Sequence, residues 1–242
     1  MPTGEAWRDR AVASRFAAER AAIVPESRTQ IDVLLHVLRT PARPIASVVD
    51  LGCGDGVLLE AVLSAFPDAR GVGFDYSEAM RERATIRLAA CGGRARVLAA
   101  DLRREDWSAT LEGPVDVVVS GFAIHHLPDP RKRALFGEIF DRLAPGGTFL
   151  DLEHVASATP AVAAMSDEAM VRFQIATRAA AGEDVDAAAV RAAFHARPDK
   201  ADNLLAPIEH QCGWLREVGF GDVDVFWKWF ELALFGGRKP CS

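Results

Sequence analysis

The sequence predicts an α/β protein built on a mostly parallel sheet with helices packed against it. Three observations carry that reading. Apolar runs alternate with stretches of helical periodicity from residue 45 to 155, the run Val115 to Ser120 is nearly all apolar, and VVDLGCGDG at 48–56 sets three glycines behind a strand-like run. Strand, helix, strand in repetition is the signature of a parallel sheet. A strand covered on both faces reads as a continuous apolar run, and glycine is the residue that lets a ligand approach a tight turn.

Taken in order, Glu5 to Ala22 is charged and alanine-rich with apolar residues at helical spacing, and SRTQIDVLLHVLRT after Pro25 predicts a second helix, closed by Pro41 and Pro44. Strands are then expected at Ile45 to Leu51, Arg70 to Phe74, Ala95 to Ala100 and Val115 to Ser120. Helices are expected at Gly56 to Ala65, Glu78 to Ala90 and Arg131 to Leu143. Pro145-Gly146-Gly147 predicts a turn, and Thr148 to Glu153 a fifth strand ending beside His154. From 156 to 206 the pattern is helical and alanine-rich with no strand signal, which reads as an insertion. A helix at Ile208 to Val218 and two apolar-aromatic segments, Asp222 to Trp229 and Phe230 to Phe235, complete seven strands, and the WKWFELALF stripe reads as sheet core.

Composition narrows the function. At 242 residues and 50% hydrophobic, the chain buries one substantial core and is short for two full domains. A net charge of −6 argues against a broad nucleic-acid surface, which needs clustered Lys and Arg. Cys53, Cys91, Cys212 and Cys241 have no CxxC spacing, so neither a zinc site nor a disulfide framework is indicated, and a reducing cytoplasmic location is expected. The N-terminal MPTGEAWRDR has no apolar leader segment, and no run reaches the ~20 apolar residues of a membrane span.

The glycine turn is DxGxGxG. It lacks the GxGxxG of a dinucleotide site and the GK[ST] of a P-loop, and Asp50 and Asp55 would repel a pyrophosphate while suiting a cationic ligand. Five segments in register, VVDLGCGDG, GVGFDYS at 71–77, AADLR at 99–103, VVVSGFAIHHLPD at 117–129 and LAPGGTFL at 143–150, resemble the class I S-adenosylmethionine-dependent methyltransferases over 45–150 and again over 208–236. The resemblance implies a Rossmann-like seven-stranded sheet with an antiparallel last strand. Residues 45–155 and 207–242 would then form the cofactor-binding core, with 1–44 (N-terminal helices) and 156–206 (a helical insertion) acting as a lid. It implies S-adenosyl-L-methionine as cofactor, S-adenosyl-L-homocysteine as product, and cofactor contacts at Asp50, Gly52, Gly54, Asp75, Tyr76, Met80, Asp101, Leu102, Ser120 and Phe122. Asp75 would accept the ribose hydroxyls, and Asp101 and Leu102 would flank the adenine.

For catalysis His154 and His125 are the candidates, since imidazole takes a proton near neutral pH. His126 reads as a loop-orienting residue, Cys53 as a small filler of the turn, and no metal site is expected because the histidines and Glu153 do not have a known ligand spacing. Arg28, Arg172, Arg178 and Arg197 are candidates to grip an acidic acceptor. The leading expectation is methyl transfer to a small-molecule acceptor by in-line displacement, in a monomer or homodimer without nucleic-acid or membrane partners. The layout is also similar to relatives of carboxy-S-adenosylmethionine synthase, which modify the cofactor for tRNA wobble-uridine chemistry. A non-catalytic S-adenosylmethionine-binding protein is the alternative from another class.

Overall fold

The structure is a computed structural model that describes residues 24–40, 44–197, 200 and 202–241. The expected helix over 5–22 lies outside the described residues. Seven strands, β1 Ser47–Leu51, β2 Arg70–Asp75, β3 Ala95–Ala99, β4 Val115–Gly121, β5 Leu143–His154, β6 Gly221–Trp229 and β7 Leu232–Arg238, form one sheet in the order β3-β2-β1-β4-β5-β7-β6. Strands β1 to β5 are mutually parallel, while β7 runs antiparallel to both β5 and β6. The last strand is thus the antiparallel one, as the sequence implied.

Helices cover both faces because strand residues alternate. Val48, Val117 and Val119 pack on one side with Leu34 and Leu38 of α1 (Ser27–Arg39), Leu59 and Leu63 of α2 (Val57–Ala65) and Leu88 of α3 (Glu78–Leu88). Val49, Leu51 and Val118 face the other side, against Leu135, Phe136 and Ile139 of α4 (Asp129–Arg142) and Leu215 of α7 (Ile208–Val218). That period-2 alternation within almost wholly apolar runs is what a doubly covered sheet requires.

Between β5 and α7 the insertion forms α5 Pro160–Ala180 and α6 Ala187–His195. Thr159 caps α5 by accepting from the Val162 amide (3.3 Å), and Asp186 caps α6 by accepting from Ala188 and Ala189 (2.9 and 3.1 Å). Among the described residues no helix is long and apolar enough to cross a membrane.

The start of β5 and the start of β7 differ from expectation for physical reasons. β5 starts at Leu143 and absorbs the Pro145-Gly146-Gly147 turn as an irregularity: Val115 pairs with Leu143, yet Val117 pairs with Thr148. β7 starts at Leu232 because Phe230, at φ 48°, makes the left-handed corner of the β6–β7 hairpin.

Candidate active site

The strand order reverses between β1 and β4, and the loops at the carboxyl ends of these strands form the site, as in open α/β sheets generally. Two cavities open there. The first, a cleft of about 990 Å³, is lined by the glycine turn, the ends of β2 and β3, and Gly121 to Ala123 after β4. The second, of about 1170 Å³, lies between the histidine turn, the β6–β7 hairpin and the insertion. Phe122 and His126 line both.

In the cleft, Gly52 and Gly54 take left-handed φ of 67° and 54°. A Cβ on Gly52 would stand 2.2 Å from the Ala123 Cβ, so this glycine lets the turn nest against the loop after β4. A Cβ on Gly54 would meet no protein atom within 4 Å; its bareness keeps space open for a ligand. The turn is fastened by Asp75, which accepts from the Gly54 amide (2.8 Å) and the Ser77 amide (2.7 Å). Burial pushes the Asp75 carboxyl up from its ordinary value, against these two hydrogen bonds. Each carboxylate oxygen has more than one acceptor direction, so Asp75 retains capacity for a hydroxyl donor.

Tyr76, Met80 and Leu102 line the cleft together with Phe74 and Ala100, giving an apolar slot suited to a flat base. Asp101 also lines it, but its carboxylate is gripped by Arg103 (2.8 and 2.7 Å), whose guanidinium lies over the Tyr76 ring at 4.8 Å. Partial burial pushes Asp101 up, and the Arg103 bonds outweigh it and hold the carboxyl below its usual range. Arg103, in the cleft wall, was not anticipated; its position directly after the AADL segment was the available signal.

Two expected contacts are not brought to the cleft. Asp50 is 1% exposed inside β1, and Ser120 is fully buried in β4 with its hydroxyl donating to the Leu51 carbonyl (2.9 Å). Both lie within the sheet and not beyond its carboxyl edge. Asp55, expected near the ligand's positive end, has its carboxylate paired to Arg87 at 2.9 Å across α2 and α3. Burial, then Asp50, push the Cys53 thiol well above its ordinary value, which suits a packing residue and not a nucleophile.

The second cavity gathers His125, His126 and His154. His125 is buried, with Nδ1 2.5 Å from Glu153 Oε1 and its amide donating to Glu153 Oε2 (2.9 Å). Glu153 is sealed at 0% exposure and also accepts from the His154 amide (2.7 Å). Burial pushes Glu153 up, but the charge and hydrogen bonds of His125 outweigh it and bring the carboxyl below its ordinary value. His154 Nε2 sits 3.2 Å from Glu231 Oε2, and the His125 and His154 ring centres are 5.8 Å apart. His126 stacks beside His125 at 3.9 Å, and its Nδ1 faces the Asp202 carbonyl at 3.2 Å. Burial, then His125, drop the His126 pKa to about 3, so this imidazole is neutral with its proton on Nδ1. Among the described residues no group of His, Cys, Asp and Glu has the geometry of a metal site.

The insertion closes the cavity through α5, α6 and the segment 202–206. Ser166, Met170, Phe194, Arg197, Asn203 and Leu205 contribute to the wall. The segment is laced to the histidine turn: the Leu204 amide donates to the His125 carbonyl (2.8 Å), and buried Lys132 donates to the Leu204 carbonyl and to Asp129 (2.8 Å). Of the four candidate arginines, only Arg197 lines the cavity. Arg28 is exposed and Arg172 pairs with Glu168 (3.0 Å) on the outer side.

Residues 48–147 match a family model described as a methyltransferase domain. The glycine turn, the ends of β2 and β3 and the loop after β4 that line the cleft all lie within that matched stretch. The chain is 34% identical over 149 residues to a trans-aconitate 2-methyltransferase of Streptomyces coelicolor, a match covering 61% of this chain and 45% of that protein. It is 25% identical over 235 residues to a carboxy-S-adenosyl-L-methionine synthase of Campylobacter hominis, covering 96% and 93% respectively. The chain therefore spans less than half of the first relative and nearly all of the second. In fold it is similar to an O-methyltransferase family protein from Burkholderia thailandensis, with a TM-score of 0.67 and 21% identity over 98% of this chain and 62% of that one.

Proposed function

We propose that this chain moves a methyl group from S-adenosylmethionine, held in the cleft, to a small-molecule acceptor held in the second cavity. The observation that carries this is the shared wall: the two cavities meet at Phe122 and His126. The cleft fits the cofactor because Gly54 leaves open space and Asp75 offers acceptor capacity beside an apolar slot.

When bound, the cofactor supplies the methyl group on a sulfonium, a good leaving group. The chain's own work is positioning and exclusion of water. Gly52, Gly54, Asp75, Tyr76, Met80, Asp101 and Leu102 hold the cofactor, and Phe122 separates the two chambers. His125 takes the acceptor's proton, oriented and supported by the Glu153 carboxylate behind it. His126 stays neutral at the junction and adds no positive charge where the sulfonium must stand. Residues 156–206 act as the lid and carry acceptor specificity. The four free cysteines support a reducing compartment.

Calorimetric titration with S-adenosylmethionine and, separately, with NAD tests the cleft. Saturable binding of the first alone is expected; binding of NAD, or of neither, overturns the proposal. A second reading is favoured by one observation, the match to the carboxy-S-adenosylmethionine synthase over 96% of the chain against 61% for the trans-aconitate methyltransferase. Under it the chain would alter the cofactor itself. The mass of the sulfonium compound extracted from purified protein separates the readings, since a carboxylated species marks the second.

A further inference from the structure

We infer that Arg131, on the first turn of α4, is a positioning residue for the cofactor: from outside the cleft it holds the loop after β3 in the place where Leu102 and Arg103 form the cleft wall. This rests on the cleft being the S-adenosylmethionine site and goes on to name what shapes its base slot.

The chain passes from β3 to β4 through turns alone. Its own backbone bonds, from the Arg104 amide to the Asp101 carbonyl (2.9 Å), Ala109 to Asp106 (3.1 Å) and Leu111 to Ser108 (3.0 Å), each close a local turn without reaching the body of the domain. Anchors come from α4, where Arg131, Glu138 and Arg142, at i, i+7 and i+11, share one stripe. The Arg131 guanidinium donates through Nε to the Leu102 carbonyl (2.7 Å) and through Nη2 to the Arg104 carbonyl (2.8 Å), the residues on either side of Arg103. Its fork also meets Glu138, Nη1 to Oε1 at 2.5 Å and Nη2 to Oε2 at 2.8 Å, and only 11% of the Arg131 side chain is exposed. Glu138 in turn accepts from the Trp107 indole (2.7 Å), and Arg142 donates to the Ser108 hydroxyl (3.0 Å).

Arg131 lines neither cavity, but what it holds does. Leu102 and Arg103 stand in the cleft wall, and buried Trp107 meets Phe74, another cleft residue, edge-on at 5.9 Å. The apolar side chains of the slot, Tyr76, Met80 and Leu102, accept any flat base alike. Polar groups able to read the base's edge, Asp101 and Arg103, ride on this loop. Residues 103–106 are exposed, so water reaches this stretch when Arg131 is lost and the core stays intact. The loss then falls on where the loop sits and not on whether the domain folds. Lysine is no substitute, because a single ammonium does not reproduce the planar fork that joins two carbonyls to a carboxylate.

The test is calorimetric titration of the purified protein with S-adenosylhomocysteine and with S-inosylhomocysteine, which differs at the edge of the base. The parent is expected to prefer the first. Arg131→Lys should weaken S-adenosylhomocysteine binding about tenfold, the worth of roughly one hydrogen bond to a charged group, and bring the ratio of the two affinities close to one. Glu138→Gln, the gentler change, should move both quantities the same way by less, and it carries the test where Arg131→Lys costs the fold. Arg133→Gln, on the same turn and paired at the surface with Glu217 (2.6 Å), should leave both unchanged. A merely structural role would lower Tm and both affinities together and leave their ratio as it was. That result overturns the inference, as does a parent that binds the two compounds alike, an Arg131→Lys variant with parental affinity, or an Arg133→Gln variant shifted as far. A parent that binds neither compound sinks the proposed function instead.

Discussion

Gly52 and Gly54 are two residues apart in one turn, both left-handed, yet the structure gives them different work, and alanine at each position separates the two. At Gly52 the added methyl would lie 2.2 Å from the Ala123 Cβ, inside the range no packed carbons occupy. The left-handed conformation costs an alanine about 1–2 kcal/mol, and forcing the Ala123 loop away adds roughly 1–3 kcal/mol of overpacking. Gly52→Ala should therefore lose about 2–5 kcal/mol of stability, a fall in Tm of roughly 5–15 °C for a chain of this size.

At Gly54 the methyl meets nothing within 4 Å, so only the conformational cost of about 1–2 kcal/mol remains. The methyl stands in the cleft, however, so Gly54→Ala should weaken S-adenosylmethionine binding far more than it lowers Tm. Thermal unfolding followed by circular dichroism, paired with calorimetric titration of the cofactor, reads both quantities. A Gly52→Ala variant that melts with the parent, or a Gly54→Ala variant that binds the cofactor with parental affinity, refutes this division of labour.

Three further outcomes follow from the buried acids. Asp75→Asn should reduce S-adenosylmethionine affinity by about 1–3 kcal/mol, because the Gly54 and Ser77 amides and the ribose lose a charged acceptor; calorimetry decides, and unchanged affinity removes Asp75 from the site. Burial, then the charge of Glu153, raise Asp151 well above its ordinary 3.8, so this residue's stabilising contribution is present below that value and is lost as pH rises through the folded one. Asp151→Asn should accordingly gain on the parent as pH rises from 5 to 8 in urea unfolding, and a constant difference would contradict the shift. Glu153 is shifted the opposite way: its contribution is present above its ordinary 4.5 and is lost as pH falls, so Glu153→Gln should cost about 1–3 kcal/mol near neutrality and progressively less in acid, with turnover depressed because His125 loses its orienting partner.

Much of this architecture is legible in the chain because the sheet is covered on both faces. Val115 to Ser120 had to be a buried strand, and the first four motifs fall on the carboxyl ends of β1 to β4, while LAPGGTFL opens β5. The boundaries that escaped are those set by backbone geometry alone. Phe230 turns the hairpin in a left-handed conformation that nothing in a phenylalanine announces, and the register slip from Leu143 to Thr148 hides a turn inside a strand. Asp50 and Gly52 are likewise two positions apart, but one ends inside the sheet and the other beyond it, and sequence patterns do not fix a strand end that finely. The 202–206 segment was unreadable for a related reason: its hold on the histidine turn runs mostly through backbone carbonyls and amides, with Lys132 and His126 as the side chains that meet it.

The histidines show where position on the chain and position in space part company. His125 and His126 are neighbours in a short 3-10 turn, yet one is clamped to Glu153 and the other reaches the wall common to both cavities. The residue two positions before that turn supplies the reason. Phe122 holds φ 55°, a conformation that costs a bulky side chain on the order of 1–3 kcal/mol. It is pinned there by its amide bond to the Leu152 carbonyl (2.8 Å), while Ala123 beside it fills the space that Gly52 leaves. The strain sets the Phe122 ring in the wall between the chambers and starts the turn that aims two histidines in different directions. One bare glycine after β1 and one strained phenylalanine after β4 thus meet across Ala123, and Phe122 lies with His126 in the wall common to both cavities.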